Sequence, residues 1–260
     1  MLARLRATAA FGIALAVLSA GVAQAVEVRV MSSGGLTAAF ESLVPDYERA
    51  SGNTVHLILG PSMGTSPEAI PNRLARGEIA DLVLMVGSAL GDLAAKGAVD
   101  PASRVDVADS RIAMAVRAGA AKPDIATLDA FRRALLAAKS VAYSDSASGV
   151  YIEREMYAKL GVEAEMRPKS RMIVAERVGN VVARGEAEVG FQQVAELLPV
   201  QGITYVGEIP DGAQRVTTFS AGIPTNAKER EAARGLIAFL VSVEARPKLV
   251  TSGLSPIVKP

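Results

Sequence analysis

Three turns rich in serine, threonine and glycine stand directly before helical patterns: "MSSGGL" (Met31 to Leu36), "GPSMGTSPEAI" (Gly60 to Ile70) and "SDSASGVYIE" (Ser144 to Glu153). Each follows a strand-like run, so each sets hydroxyls and bare backbone at a strand-to-helix turn. A helix N-terminus leaves backbone N–H groups unpaired and carries roughly half a unit of positive charge, which together favour an anion. A single serine at such a turn caps its own helix. Three such turns in one chain point instead to a cradle for an oxyanion or a carboxylate. The candidate ligand contacts on these turns are Ser32, Ser33, Gly34 and Gly35, then Ser62, Met63, Gly64 and Thr65, then Ser146, Ser148 and Gly149.

A second chemistry competes at the middle turn. Gly60-Pro61-Ser62-Met63-Gly64 fits G-x-S-x-G between a strand and a helix, the setting of a hydrolase nucleophile elbow. That architecture needs an acid and then a histidine downstream of the serine. His56 is the only histidine, and it lies upstream on the entering strand. No Ser-x-x-Lys occurs at these turns. The remaining carboxylates are scattered and read as solvated helix faces, and the expectation is a non-enzymatic protein, with a Ser62 hydrolase as the alternative.

Other classes are excluded by composition. There is no cysteine and one histidine, so thiolate or imidazole metal sites are ruled out, and no metal or cofactor is expected. No Gly-x-x-x-x-Gly-Lys loop is present, and the glycines of "SSGGL" do not complete Gly-x-Gly-x-x-Gly. Aromatics are scarce and tryptophan is absent, which argues against base or sugar stacking.

The elements that must hold these turns alternate. Strand-like Val26 to Met31, Thr54 to Leu59, Asp81 to Val86 and Ile112 to Arg117 are interleaved with helical patterns at Leu36 to Ser51, Ser66 to Arg76 and Leu90 to Lys96. After Lys122-Pro123 the rhythm restarts. Helix Leu128 to Ala138, strand Ser140 to Ser144, helix Gly149 to Leu160, helix Ile173 to Arg184 and strand Ala187 to Gln192 lead into a β-rich return, Thr204 to Phe219, and a last helix, Ala227 to Val243. Such alternation predicts an α/β fold with mainly parallel strands. Its length favours two lobes. "RLARGEIADLVLM" (Arg73 to Met85) and "VVARGEAEVGFQQ" (Val181 to Gln193) echo one another, each ending a helix, turning on Ala-Arg-Gly-Glu and opening a strand, with Gly77 and Gly185 where a helix C′ glycine belongs. Ligands of open α/β sheets sit beyond the carboxyl ends of the strands, so two facing lobes create one cleft.

The start of the chain says where that cleft operates. Arg4 and Arg6 precede an apolar run, Ala7 to Ala20, too short to span a bilayer, which exits at Ala23-Gln24-Ala25. This is the pattern of a secretory signal peptide over residues 1–25, and it predicts a periplasmic mature chain. Losing Arg4 and Arg6 from 28 basic residues leaves them one short of the 27 acidic ones, so no bulk field for nucleic acid or anionic lipid remains. Without disulfides, stability must come from an apolar core, which a chain of this length can build.

The signal peptide, "LTAAFESLVPDYERASGNTV", "ARGEIADLVL" and "ARGEAEVGF" at their present separations resemble the molybdate-binding, periplasmic substrate-binding proteins of ABC transporters, over about Val26 to Leu254. The resemblance implies a type II periplasmic binding fold. Two α/β lobes, 26–112 with 218–260 and 113–217, would be joined by crossover strands near Arg111 to Arg117 and Arg215 to Ala221. They would close on a small anion held by neutral donors, and the monomer would deliver it to an inner-membrane ABC permease or report it to a membrane receptor. By this resemblance the first-turn serine falls at Gly35 or is displaced to Ser33 or Ser32. The second falls near Ser62, with Met63-Gly64-Thr65 inserted; the second lobe contributes Ser148 and the backbone of Val178, and the family's late tyrosine is replaced by Gln193. These departures, with the Gln192 and Gln193 amides, suggest a small organic acid as the alternative to molybdate, with Arg177 or Arg171 as its carboxylate partner.

Overall fold

The computed structural model describes residues 25–174 and 176–257, so the signal-peptide reading of residues 1–25 lies outside the described residues except for Ala25. The chain opens with β1 (Glu27–Ser32), α1 (Gly34–Ser51), β2 (Thr54–Leu59), α2 (Ile70–Ala75), β3 (Leu82–Val86), α3 (Gly87–Ala95) and β4 (Val105–Ser110). It continues through β5 (Ile112–Arg117), α4 (Leu128–Ala137), β6 (Val141–Ser144) and α5 (Ala147–Tyr151), then a π-type turn at Ile152–Met156, α6 (Tyr157–Lys159) and α7 (Glu163–Met166). The rest is β7 (Ser170–Ile173), α8 (Val178–Ala183), β8 (Val189–Gln193), α9 (Val194–Leu197), β9 (Ile203–Glu208), β10 (Thr217–Gly222), α10 (Arg230–Leu240), α11 (Arg246–Thr251) and β11 (Ser255–Pro256).

Two mixed sheets result, ordered β11-β4-β10-β3-β1-β2 and β7-β6-β8-β5-β9. The helix-linked strands pair in parallel, β2-β1-β3 in the first sheet and β7-β6-β8 in the second. The strands on either side of the two crossings pair antiparallel: β10 with β3 and β4, and β5 with β8 and β9. The expectation of mainly parallel strands is corrected accordingly, because a strand fed from the other sheet enters from the opposite end. The crossings themselves are tied together. Arg111 donates from Nε to Glu208 Oε2 at 2.5 Å and pairs with Asp211. Gln214 accepts from the Ile112 N–H at 2.8 Å and donates to the Ile112 carbonyl at 3.0 Å.

α1 buries Leu36, Phe40, Leu43 and Tyr47 on one face and ends at Gly52 in the left-handed region, φ 77°. The two Ala-Arg-Gly-Glu turns also behave alike, with Gly77 at φ 80° and Gly185 at φ 76°, a backbone that glycine adopts without a Cβ penalty. Each sheet has its own apolar core, the first around Val30, Phe40 and Leu84, the second around Phe131, Tyr157 and Phe191. Ala195 of α9 belongs to the first core, and Ala147 of α5 packs against it, so connections of the second sheet rest on the first.

Some elements depart from the sequence reading. α2 begins only at Ile70, because the preceding loop is folded back on itself by Asn72, whose side chain donates to the carbonyl of Ser66 at 2.7 Å and of Gly64 at 3.3 Å. β7 takes the start of the helix expected over Ile173 to Arg184, leaving α8 to begin at Val178. β4 was not expected at all, since two of its six residues are acidic. Hydroxyls of β10 answer them: Ser220 donates to Asp106 at 2.5 Å and Thr218 to Asp109 at 2.6 Å.

Candidate functional site

The carboxyl ends of the parallel strands face a cleft of about 300 Å³ between the sheets. The first sheet contributes Ser32 at the end of β1, Gly34 and Thr37 in α1, Leu59 at the end of β2, and Gly60, Pro61, Ser66 and Glu68 from the loop that follows. The second contributes Ser144 and Asp145 after β6, Glu176 and Arg177 before α8, and Gln192 and Glu196 at the β8–α9 junction.

α1 starts at Gly34, so its first backbone N–H groups lack helical acceptors. Ser33, at its N-cap, makes no side-chain cap bond, and its buried hydroxyl finds no partner among the described residues. What lies on this turn is an acid. A Cβ placed on Gly34 would sit 2.3 Å from Glu196 Oε1, so the missing side chain is what lets the carboxyl approach. The neighbouring Gly35 faces the other way: its Cβ would meet the Phe219 ring at 2.1 Å, which sets Gly35 against the core rather than the cleft.

Glu196 is held by its surroundings. Gln192, in β8, donates from Nε2 to Glu196 Oε1 in α9 at 2.9 Å, while Gln192 Oε1 accepts from the Val178 N–H at 2.9 Å. One amide thus ties β8, α8 and α9 together. Burial pushes the Glu196 carboxyl up to about 7, against the opposing pull of the Arg177 charge, the Gln192 bond and a backbone bond at Gln193, with Asp145 adding to the rise. At 8 % exposure it remains open to the cleft while losing most of its water. The other lining acids are differently placed. Glu176 is ion-paired with Arg184 at 2.5 Å, which lowers its carboxyl, and the exposed Glu68 pairs with Arg73.

Of the residues singled out from sequence, Ser32, Gly34, Arg177 and Gln192 line the cleft. Ser146 and Ser148 hydrogen-bond the cleft-lining Ser144, at 2.7 and 3.2 Å between hydroxyls, and Gly149 packs directly on the Ser144 carbonyl. Val178 presents its N–H to Gln192 rather than to open space. Gln193 donates from Nε2 to Thr217 Oγ1 at 3.0 Å, beside the second crossing, and its side-chain oxygen Oε1 has no partner among the described residues. Ser62 is buried with its hydroxyl accepting from the Val86 N–H at 2.9 Å, a bond that pins the loop to the end of β3. Met63 packs partly on the first core, Gly64 and Thr65 are exposed, and Arg171 is exposed and paired with Glu186 at 3.5 Å. His56 is exposed on β2, in register with Arg29 of β1.

Glu196 was not found from sequence, where its carboxylate merged with those read as solvated. Two signals were available: its i, i+4 spacing to Gln192, and its position as a lone charge within "VAELL". The four-residue α9 is too short to announce a buried face by periodicity.

A model of the family described as bacterial extracellular solute-binding protein matches residues 28–255. Aconitate isomerase of Pseudomonas sp is 52% identical over 228 residues, 88% of this chain and 87% of that protein. The periplasmic molybdate-binding protein of Azotobacter vinelandii superposes with a TM-score of 0.72 at 17% identity, covering 90% of this chain and 100% of that one. The substrate-binding domain of a putative molybdenum ABC transporter from Clostridium difficile gives 0.68, also at 17% identity and with the same coverage. The two-lobed fold is therefore as the resemblance implied. The expectation of a non-enzymatic protein is corrected by the first of these relatives, a protein named for a catalysed reaction. The missing downstream histidine disfavours one mechanism, an acyl-transfer triad, and says nothing against proton-transfer chemistry.

Proposed function

The chain belongs to the bacterial extracellular solute-binding protein family, and from that premise we propose that it is an isomerase of a small unsaturated polycarboxylate, aconitate or a close analogue. It works as an exported monomer in the periplasm, after removal of residues 1–25. The relative of shared sequence supplies the reaction class. The observation that carries the reading for this chain is the make-up of the cleft. The Arg177 guanidinium, the Gln192 amide and the hydroxyl-bearing Ser32, Thr37, Ser66 and Ser144 line about 300 Å³ from both sheets. That is a small-molecule volume with a cationic and a polar wall, suited to a small organic acid.

A second reading rests on the family itself: capture of the same acid for delivery to an inner-membrane ABC permease. The two differ in turnover. Purified mature chain incubated with trans-aconitate, and separately with cis-aconitate, is followed by proton nuclear magnetic resonance. Interconversion proportional to enzyme, from either side, is the expected result. Tight binding without interconversion supports capture alone, and binding of molybdate with indifference to both aconitates removes the organic-acid reading.

A further inference from the structure

We propose that Glu196 is the acid–base group of the reaction, the one that removes the migrating proton from one allylic carbon and returns it to the other. The assignment rests on the isomerase reading above. Aconitate carries a methylene flanked by a carboxylate and a carbon–carbon double bond. Its cis and trans forms interconvert by a proton shift that needs no oxidant or co-substrate. The base takes a methylene proton, the C–H electron pair spreads over the three allylic carbons and the attached carboxylates, and the original double bond loses its order. Returning that proton to the far end of the allyl system places the double bond between the other two carbons. Its new geometry is that in which the enzyme held the carboxylate on the carbon that lost the proton. Atoms and charge balance with one proton out and one in.

Such a step asks for a group that accepts a proton from carbon and is not itself quenched by a salt bridge. Glu196 meets this by position. It is buried between the sheets, open only to the cleft, and its carboxyl rests on the first turn of α1 in the space that Gly34 leaves. The Gln192 amide fixes the rotamer from one side. The charged groups facing it are Arg177 before α8 and Asp145 after β6, while α1 has no acidic residue in its first turn. Arg177 favours the charged base and can also accept a substrate carboxylate. Burial holds the carboxyl near neutrality, so that both protonation states are populated at working pH, as a group that must take and return a proton requires. Glu176 and Glu68 lie farther out on ion pairs with Arg184 and Arg73. A protein that merely retains an anion gains nothing from sealing a carboxyl beside it.

The test uses the mature chain and three measurements. Glu196→Gln is expected to lower kcat by about 100-fold or more, while its dissociation constant for aconitate stays within a few-fold of wild type. Glu196→Asp, which keeps a carboxyl but withdraws it by one methylene, is expected to retain part of kcat and a pH-dependent limb. It serves as the readout if the glutamine variant fails to fold. For wild type, kcat/KM is expected to rise with pH through a limb near 7, set by loss of the Glu196 proton. An active wild type with a Glu196→Gln variant within tenfold of it, or a flat wild-type profile across that range, overturns the assignment and leaves the isomerase reading standing. A wild type that binds aconitate and never converts it overturns both.

Discussion

At the scale of single residues, Glu196 couples chemistry to stability with opposite signs. Its carboxyl is held up near 7 in the fold, against 4.5 for an ordinary glutamate. The folded protein therefore keeps a proton that the unfolded chain has already released over that interval. The stability associated with this site is fully present below about pH 4.5 and is lost as pH rises through about 7. At 1.36 kcal/mol for each pH interval of one, the loss is roughly 3 kcal/mol. Glu196→Gln, neutral at every pH, should unfold at higher denaturant than wild type at pH 8, with the difference shrinking toward zero at pH 4.5 as urea titrations are repeated. Sequence offered the surroundings of this residue more readily than the residue. Ser32, Gly34, Arg177 and Gln192 were legible because turns and amides have local signatures. Glu196 owes its character to α1, α8 and β6, which reach it only in three dimensions.

At the scale of elements, the β1–α1 turn was legible as a turn and misjudged in direction. Its two glycines looked equivalent in sequence, yet helical rotation sends Gly34 toward Glu196 and Gly35 toward Phe219. The two alanine substitutions should therefore separate. Gly35→Ala drives a methyl into a core ring and should cost about 1–3 kcal/mol of stability, measured by thermal or denaturant unfolding. Gly34→Ala meets the Glu196 side chain, whose end can shift toward the cleft where the Phe219 ring cannot, so it should unfold closer to wild type than Gly35→Ala while losing most of kcat as the carboxyl is displaced. Comparable loss of stability in both would place Gly34 in the core and break the argument. The parallel units β1-α1-β2 and β6-α5 were readable because strand and helix periods alternate cleanly. β4 and β7 were not, since one carries acids satisfied only by β10 and the other is four residues long.

At the scale of the whole molecule, the proposed function places one ligand between the two sheets. Arg111, Glu208 and Gln214 tie the two crossings to each other, so the sheets meet along a defined seam. On the proposed function, a substrate touching both walls would favour a closed form. Glu196 of α9 already lies on the first turn of α1, and Ala195 beside it belongs to the first core, so this acid is set by how α9 docks on α1. The separation of lobes was foreseen from chain length and from the repeated Ala-Arg-Gly-Glu turn; which acid would cross between them was not, because that depends on how α9 docks on α1. The most direct test is the crystal structure of the Glu196→Gln chain grown with cis-aconitate. The account predicts the tricarboxylate between the sheets, one carboxylate on Arg177 and another among the hydroxyls around Ser144, with an allylic carbon about 3–3.5 Å from the side chain at position 196. A tricarboxylate bound outside this cleft, or within it with its allylic carbons turned away from position 196, would contradict it.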